Sequence, residues 1–182
     1  MSIVDHKIKI QFERMDQKKR ALMAEIRKLS PDDYVRHPDQ LTWSAGQIAN
    51  HLYLSERLSL VYLKKKLSYP DTLIPYHIKS RWSLFMVNFI LWSPFKVRAP
   101  ASIDMWAEKE VLIPDELDAR WNSVRTELSA LIAEHENKFG NHLVFNHPFA
   151  GRMTMRQMLI FFNHHLAHHL RQINRVLKQI DP

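Results

Sequence analysis

Apolar residues recur at helical spacing through four stretches of the chain, and helix-stopping residues fall between them. The first stretch, residues 5–29, runs up to Ser30-Pro31, where the residue before a proline is pushed out of helical geometry. A second begins at Ser44, because Ser44-Ala45-Gly46-Gln47 has capping-box spacing. In that motif the serine oxygen and the glutamine side chain satisfy backbone N–H groups left free at a helix start. This helix is expected to continue to residue 67. The third opens at Pro114-Asp115-Glu116, with proline in the first turn and two acids at the positive end of the helix dipole, and runs to residue 138. The fourth opens on a second capping box, Thr154-Met155-Arg156-Gln157, and runs to residue 179. Between the second and third helices, residues 68–114 hold the prolines Pro70, Pro75, Pro94, Pro100 and Pro114, around a short helix expected over residues 79–93. The pattern predicts an all-α fold, a four-helix bundle with one long crossover connection that carries an extra short helix.

The last helix contains FFNHHLAHHLRQI, residues 161–173, which packs four of the chain's eleven histidines into six positions. Each helical residue advances about 100°, so the phase of every ring follows from its number. With Phe162 as zero, Met155, Met158, Leu159, Leu166, Ile173, Val176, Leu177 and Ile180 fall within about 60° of one line, the expected core face. His165 and His169 lie inside that stripe. His164 and His168 have the same spacing but point the other way, near Arg171, Arg175 and Lys178. Residues four apart stand one turn above another, so the inner pair can chelate one ion. Buried imidazoles need partners, and a metal, a hydrogen-bond network or water would each serve. On the second helix His51 shares a face with Ile48, Leu52, Ser55 and Tyr62. Helical arithmetic permits an inward His51 without requiring it.

Bulk properties narrow the chemistry. A chain of 182 residues suits a single domain, 1–182, with a real core. Three glycines are few for a sheet protein and agree with helices. The absence of cysteine excludes disulfides, thiolate ligands and a protein thiol nucleophile, so any metal must be held by nitrogen and oxygen. The net charge of +7 and pI of about 9.7 would attract anions. Yet the basic clusters Lys18-Lys19-Arg20 and Lys64-Lys65-Lys66 have acids nearby and no recognition motif beside them, so they read as solvated helix faces rather than a nucleic-acid surface. The apolar run SLFMVNFILW, residues 83–92, is too short to span a bilayer, which needs about 20 helical residues. No signal-like apolar core opens the chain, and a cytoplasmic protein without membrane or nucleic-acid partners is expected.

The sequence resembles the DinB-like superfamily of metal-binding four-helix bundles, which includes damage-inducible and thiol-transferase-related members. The resemblance rests on Trp43-Ser44, Gln47 and Asn50-His51-Leu52 on one helix, and on the last helix from His165 through His169 to Gln172 and Ile173. The lead-in from His147 to Thr154 is also similar, and the likeness runs from about residue 10 to 180. It implies a divalent-metal site made of His51, His165 and His169, the same inner pair that helical phase selects. Three imidazoles leave coordination positions open, as catalytic sites do. Imidazole suits several metals, with zinc the first expectation and nickel the second. Related bundles transfer low-molecular-weight thiols such as bacillithiol, mycothiol or glutathione to electrophiles. The resemblance therefore implies a metal-dependent thiol S-transferase acting on a small-molecule substrate, with an external thiol as cofactor. A metal-dependent hydrolase and a non-catalytic metal-binding or interaction protein are the alternatives. Gln172 is read either as an orienting group or as a helix-surface glutamine. Ser55, Glu56, Tyr62 and His147 are within reach as second catalytic groups, although each has a structural reading. A homodimer formed through helix faces suits such a fold.

Overall fold

The computed structural model describes residues 5–76, 111–147 and 151–180. Helix α1 (His6–Ile26) starts where the Asp5 carboxylate accepts hydrogen bonds from the backbone N–H groups of Lys7 and Ile8. It stops before residue 29 because Ser30 caps a new helix, its Oγ accepting from the Asp33 N–H, and proline opens the short α2 (Pro31–Val35). Helix α3 (Ala45–Leu67) begins on the expected capping box. The Ser44 N–H donates to Gln47 Oε1 at 3.0 Å and the Gln47 N–H to Ser44 Oγ at 3.2 Å. Helix α4 (Pro114–Phe139) opens on its proline and acids. Helix α5 (Met155–Ile180) opens on the Thr154–Gln157 box, with bonds of 2.9 and 3.3 Å. The short helix expected over residues 79–93, like the apolar run 83–92, lies outside the described residues.

Among the described residues two small antiparallel ladders accompany the helices, and neither was expected. Strand β1 (Ile74–Pro75), which follows a single 3-10 turn at Pro70–Thr72, pairs with β2 (His142–Leu143). Strand β3 (Phe145–His147) pairs with β4 (Gly151–Met153), placing Phe145 opposite Met153 and Asn146 opposite Arg152. Alternation along the strands sends Phe145 and Met153 into the core and leaves Asn146 and Arg152 exposed. Gly151 has φ of 69°, a conformation that glycine adopts without a Cβ clash.

The protein is mainly helical, and its core lies among α1, α3, α4 and α5. Helix α1 packs on α5, α3 packs on both α4 and α5, and α1 also touches α4. Met15, Leu22, Ile26, Ile48, Leu52, Trp121, Leu128, Ile132 and Phe162 are buried there. The expected stripe of α5 is largely what the core takes up: Met155, Met158, Leu159, Leu166, Ile173 and Val176 are buried, and Leu177 and Ile180 are half-buried. One basic cluster departs from expectation. Lys19 is only 4% exposed, and its ammonium bridges Asp118 and donates to Asn122 Oδ1 at 2.6 Å. It sits on the stripe of Met15, Leu22 and Ile26, so the helix carries it inward. Nearby, Arg125 donates to both Glu56 oxygens, at 2.9 and 2.8 Å, and to Asp16 at 2.8 Å, tying α4 to α3 and α1. Among the described residues no helix is long and apolar enough to cross a membrane.

Candidate metal centre

Where α3 meets α5, three imidazoles converge. His51 is carried inward with Ile48 and Leu52 and is 4% exposed, while His165 and His169 sit one turn apart on α5, half-buried, with their Nε2 atoms directed at the same point. His165 Nε2 lies 3.2 Å from His51 Nε2 and 3.0 Å from His169 Nε2. The rings meet edge to face, with centroids 4.6 to 5.1 Å apart. Each residue offers one ligand atom, and the three atoms lie within 4.8 Å of one another. Among the described residues no other group of three histidines or acids is so arranged.

Counting protons tests whether this donor set fits a cation. The His169 Nδ1–H donates to Gln172 Oε1 at 2.7 Å, so the neutral ring carries its proton there and keeps a lone pair on Nε2. His165 Nε2 faces that lone pair and His51 Nε2 together. One proton can complete one linear hydrogen bond across these two contacts, not both. A positive ion at the meeting point is attracted by every lone pair, so the residues fit a divalent metal. His51 Nδ1 has no hydrogen-bond partner among the described residues, and its ring is instead backed by Trp43 at 5.2 Å.

Electrostatics favour the neutral form of all three imidazoles. Burial, then the charge of His168, lowers the His51 pKa to about 4. Burial pushes His165 and His169 well below the ordinary histidine value, and the neighbouring imidazoles add to the effect. All three rings are therefore neutral at physiological pH, the form that binds metal.

The surroundings sort the remaining candidates. His164 is exposed, as its phase requires, and His168 is half-buried with its ring edge-on to His169 at 5.1 Å. Gln172 is a half-buried orienting group for His169, which decides between its two readings. Glu56 is committed to Arg125, the Ser55 hydroxyl donates to the His51 carbonyl at 2.8 Å, and Tyr62 packs edge-on against Phe145. His147 rests on Phe161 at 4.5 Å, and burial lowers its pKa to about 4. Phe161 in turn stacks on His165 at 5.3 Å with the planes 17° apart. Reasoning from the core stripe missed Phe161, although its i, i+4 spacing from His165 held the signal.

The model of the DinB superfamily matches residues 11–173. No curated protein and no solved structure matches the chain.

Proposed function

Because the chain belongs to the DinB superfamily, we propose that it holds one divalent metal ion through His51, His165 and His169 and transfers a low-molecular-weight thiol to electrophilic small molecules. The observation that carries the reading is the convergence of three neutral Nε2 atoms with no carboxylate among them. Zinc is the first choice of metal and nickel the second. When bound, the ion supplies Lewis acidity that holds a thiol as its thiolate at an open position.

The chain's own residues do the rest. Gln172 fixes the tautomer of His169, Phe161 and Trp43 wall the rings of His165 and His51, and burial keeps the imidazoles unprotonated. The protein has no cysteine, so the attacking sulfur comes from the external thiol. That sulfur bonds to the electrophilic carbon, the leaving group departs with its bonding pair, and the thiol proton passes to water. The same reading takes residues 1–182 as a single four-helix bundle with a long crossover, forming a cytoplasmic homodimer. The pairwise packing of α1, α3, α4 and α5 and the exposed Leu58 and Val61 on α3 support it.

The test is metal content by elemental analysis of untagged protein purified without a metal column, beside His165→Ala and His164→Ala. The expected result is near-stoichiometric metal lost in the first variant only. Metal absent from the wild type even after zinc or nickel is added back would overturn the reading. A loaded protein is then screened with bacillithiol, mycothiol and glutathione against a generic electrophile, and ester hydrolysis without thiol would mark a hydrolase instead.

A further inference from the structure

The C-terminal half of α3, the Pro70–Thr72 turn and the two short ladders border a partly open pocket of about 90 Å³, lined by Tyr62, Lys66, Thr72, Phe145, Asn146 and Arg152 among others. Whole small-molecule sites occupy roughly 300–1,000 Å³, so this one has room for a single functional group. Two cations border it, and none of its described lining residues is an acid. Lys66 is held in place by neutral acceptors, its Nζ donating to the Thr72 carbonyl at 3.1 Å and hydroxyl at 2.8 Å, which fixes the ammonium without neutralising it. Arg152 stands opposite Asn146 across the β3–β4 ladder and makes no ion pair among the described residues. Other exposed cations do pair, as Lys64 does with Glu127 and Arg120 with Glu116. The edge-on packing of Tyr62 against Phe145, with centroids 5.8 Å apart, fixes the phenol ring beside the same space.

We propose that this cavity binds one oxyanion group, a carboxylate or a phosphate, through Lys66 and Arg152, with the Tyr62 hydroxyl and the Asn146 amide as neutral donors. A guanidinium fork matches the paired oxygens of either group, and the ammonium adds a point charge beside it. The site is separate from the histidine cluster: Tyr62 follows His51 by eleven residues of α3, about 16 Å at helical rise. It stands whether or not a metal binds there.

The experiment follows backbone amide shifts of the full chain during separate titrations with inorganic phosphate and with acetate, at constant chloride. Saturable shifts at Thr72, Asn146 and Arg152 are expected with at least one of the two. Saturation by phosphate alone points to a phosphorylated ligand, and by acetate alone to a carboxylic acid. Arg152→Gln and Lys66→Gln should each raise Kd about tenfold or more, the scale of one lost charge-assisted bond. Lys178→Gln removes the same charge from an exposed position on α5 and should leave Kd unchanged. Shifts that never saturate, or equal weakening by Lys178→Gln, would overturn the proposal in favour of diffuse attraction to the net charge of +7.

Discussion

One proton on His169 Nδ1 decides what that ring can do, and Gln172 decides where the proton sits. Gln172→Ala should weaken metal binding roughly 10- to 100-fold, the usual effect of losing a ligand's orienting partner, measured by competition with a coloured chelator. Gln172→Glu keeps the acceptor and should keep most of the affinity. At Gly46 the restriction is space: a Cβ there would stand 2.6 Å from Val111 Cγ1 and 3.0 Å from the Tyr34 ring. Gly46→Ala should therefore cost about 1–3 kcal/mol despite alanine's better helix propensity, and thermal unfolding will read the sign. Helical phase alone separated His165 and His169 from His164 and His168, because an imidazole's direction on a regular helix is fixed by its number. Lys19 was misread because lysine is so seldom buried that a charge run looks solvated. Its position on the apolar stripe was legible, but its partner Asp118 lies 99 residues away and could not be seen from local pattern.

Capping boxes made the starts of α3 and α5 readable to within a residue, and proline followed by two acids did the same for α4, which has no side-chain cap. The strands left no such mark, whereas α2 carried one, Ser30 accepting from the Asp33 N–H ahead of Pro31, in a stretch where the pattern predicts only the stop of the first helix. The strands are two or three residues long, too few repeats of the two-residue alternation to stand out from chance. Elements are also joined by charge. Arg125, 5% exposed, links α4 to Glu56 on α3 and Asp16 on α1. Arg125→Ala would strand the Glu56 carboxylate, 2% exposed, without its counter-ion. The expected loss is about 3–5 kcal/mol, read from the denaturant midpoint. Replacing Arg125 and Glu56 together with apolar residues of similar volume should cost far less, which separates the pair's net worth from the penalty of breaking it.

Across the whole molecule the buried histidines make the metal-free protein sensitive to acid. In the unfolded chain His51 and His147 take up protons near their ordinary value of 6.5, whereas in the fold they do so only near 4. The unfolded state therefore binds more protons between those limits, so stability is highest above about pH 6.5 and falls as the pH drops toward 4. His51 alone accounts for roughly 2 kcal/mol between pH 7 and pH 5 and about 3 by pH 4, and chelator-treated protein unfolded in urea at pH 7 and pH 5 should show the decline. The helical class and the inner histidines were legible from sequence. How α3 finds α5 was not, because His51 and His165 are 114 residues apart. That separation, joined to the two offset histidine pairs of α5, carries a consequence for folding. A slip of α5 by one residue past α3 would swap His165 and His169 for His164 and His168 while turning Leu166 and Ile173 away from the core. Only the native register closes both the apolar seam and the chelate. The apolar seam, rather than the histidine spacing, therefore selects the register, and an ion held by His51, His165 and His169 as proposed would add to the stability of the docked chain by mass action.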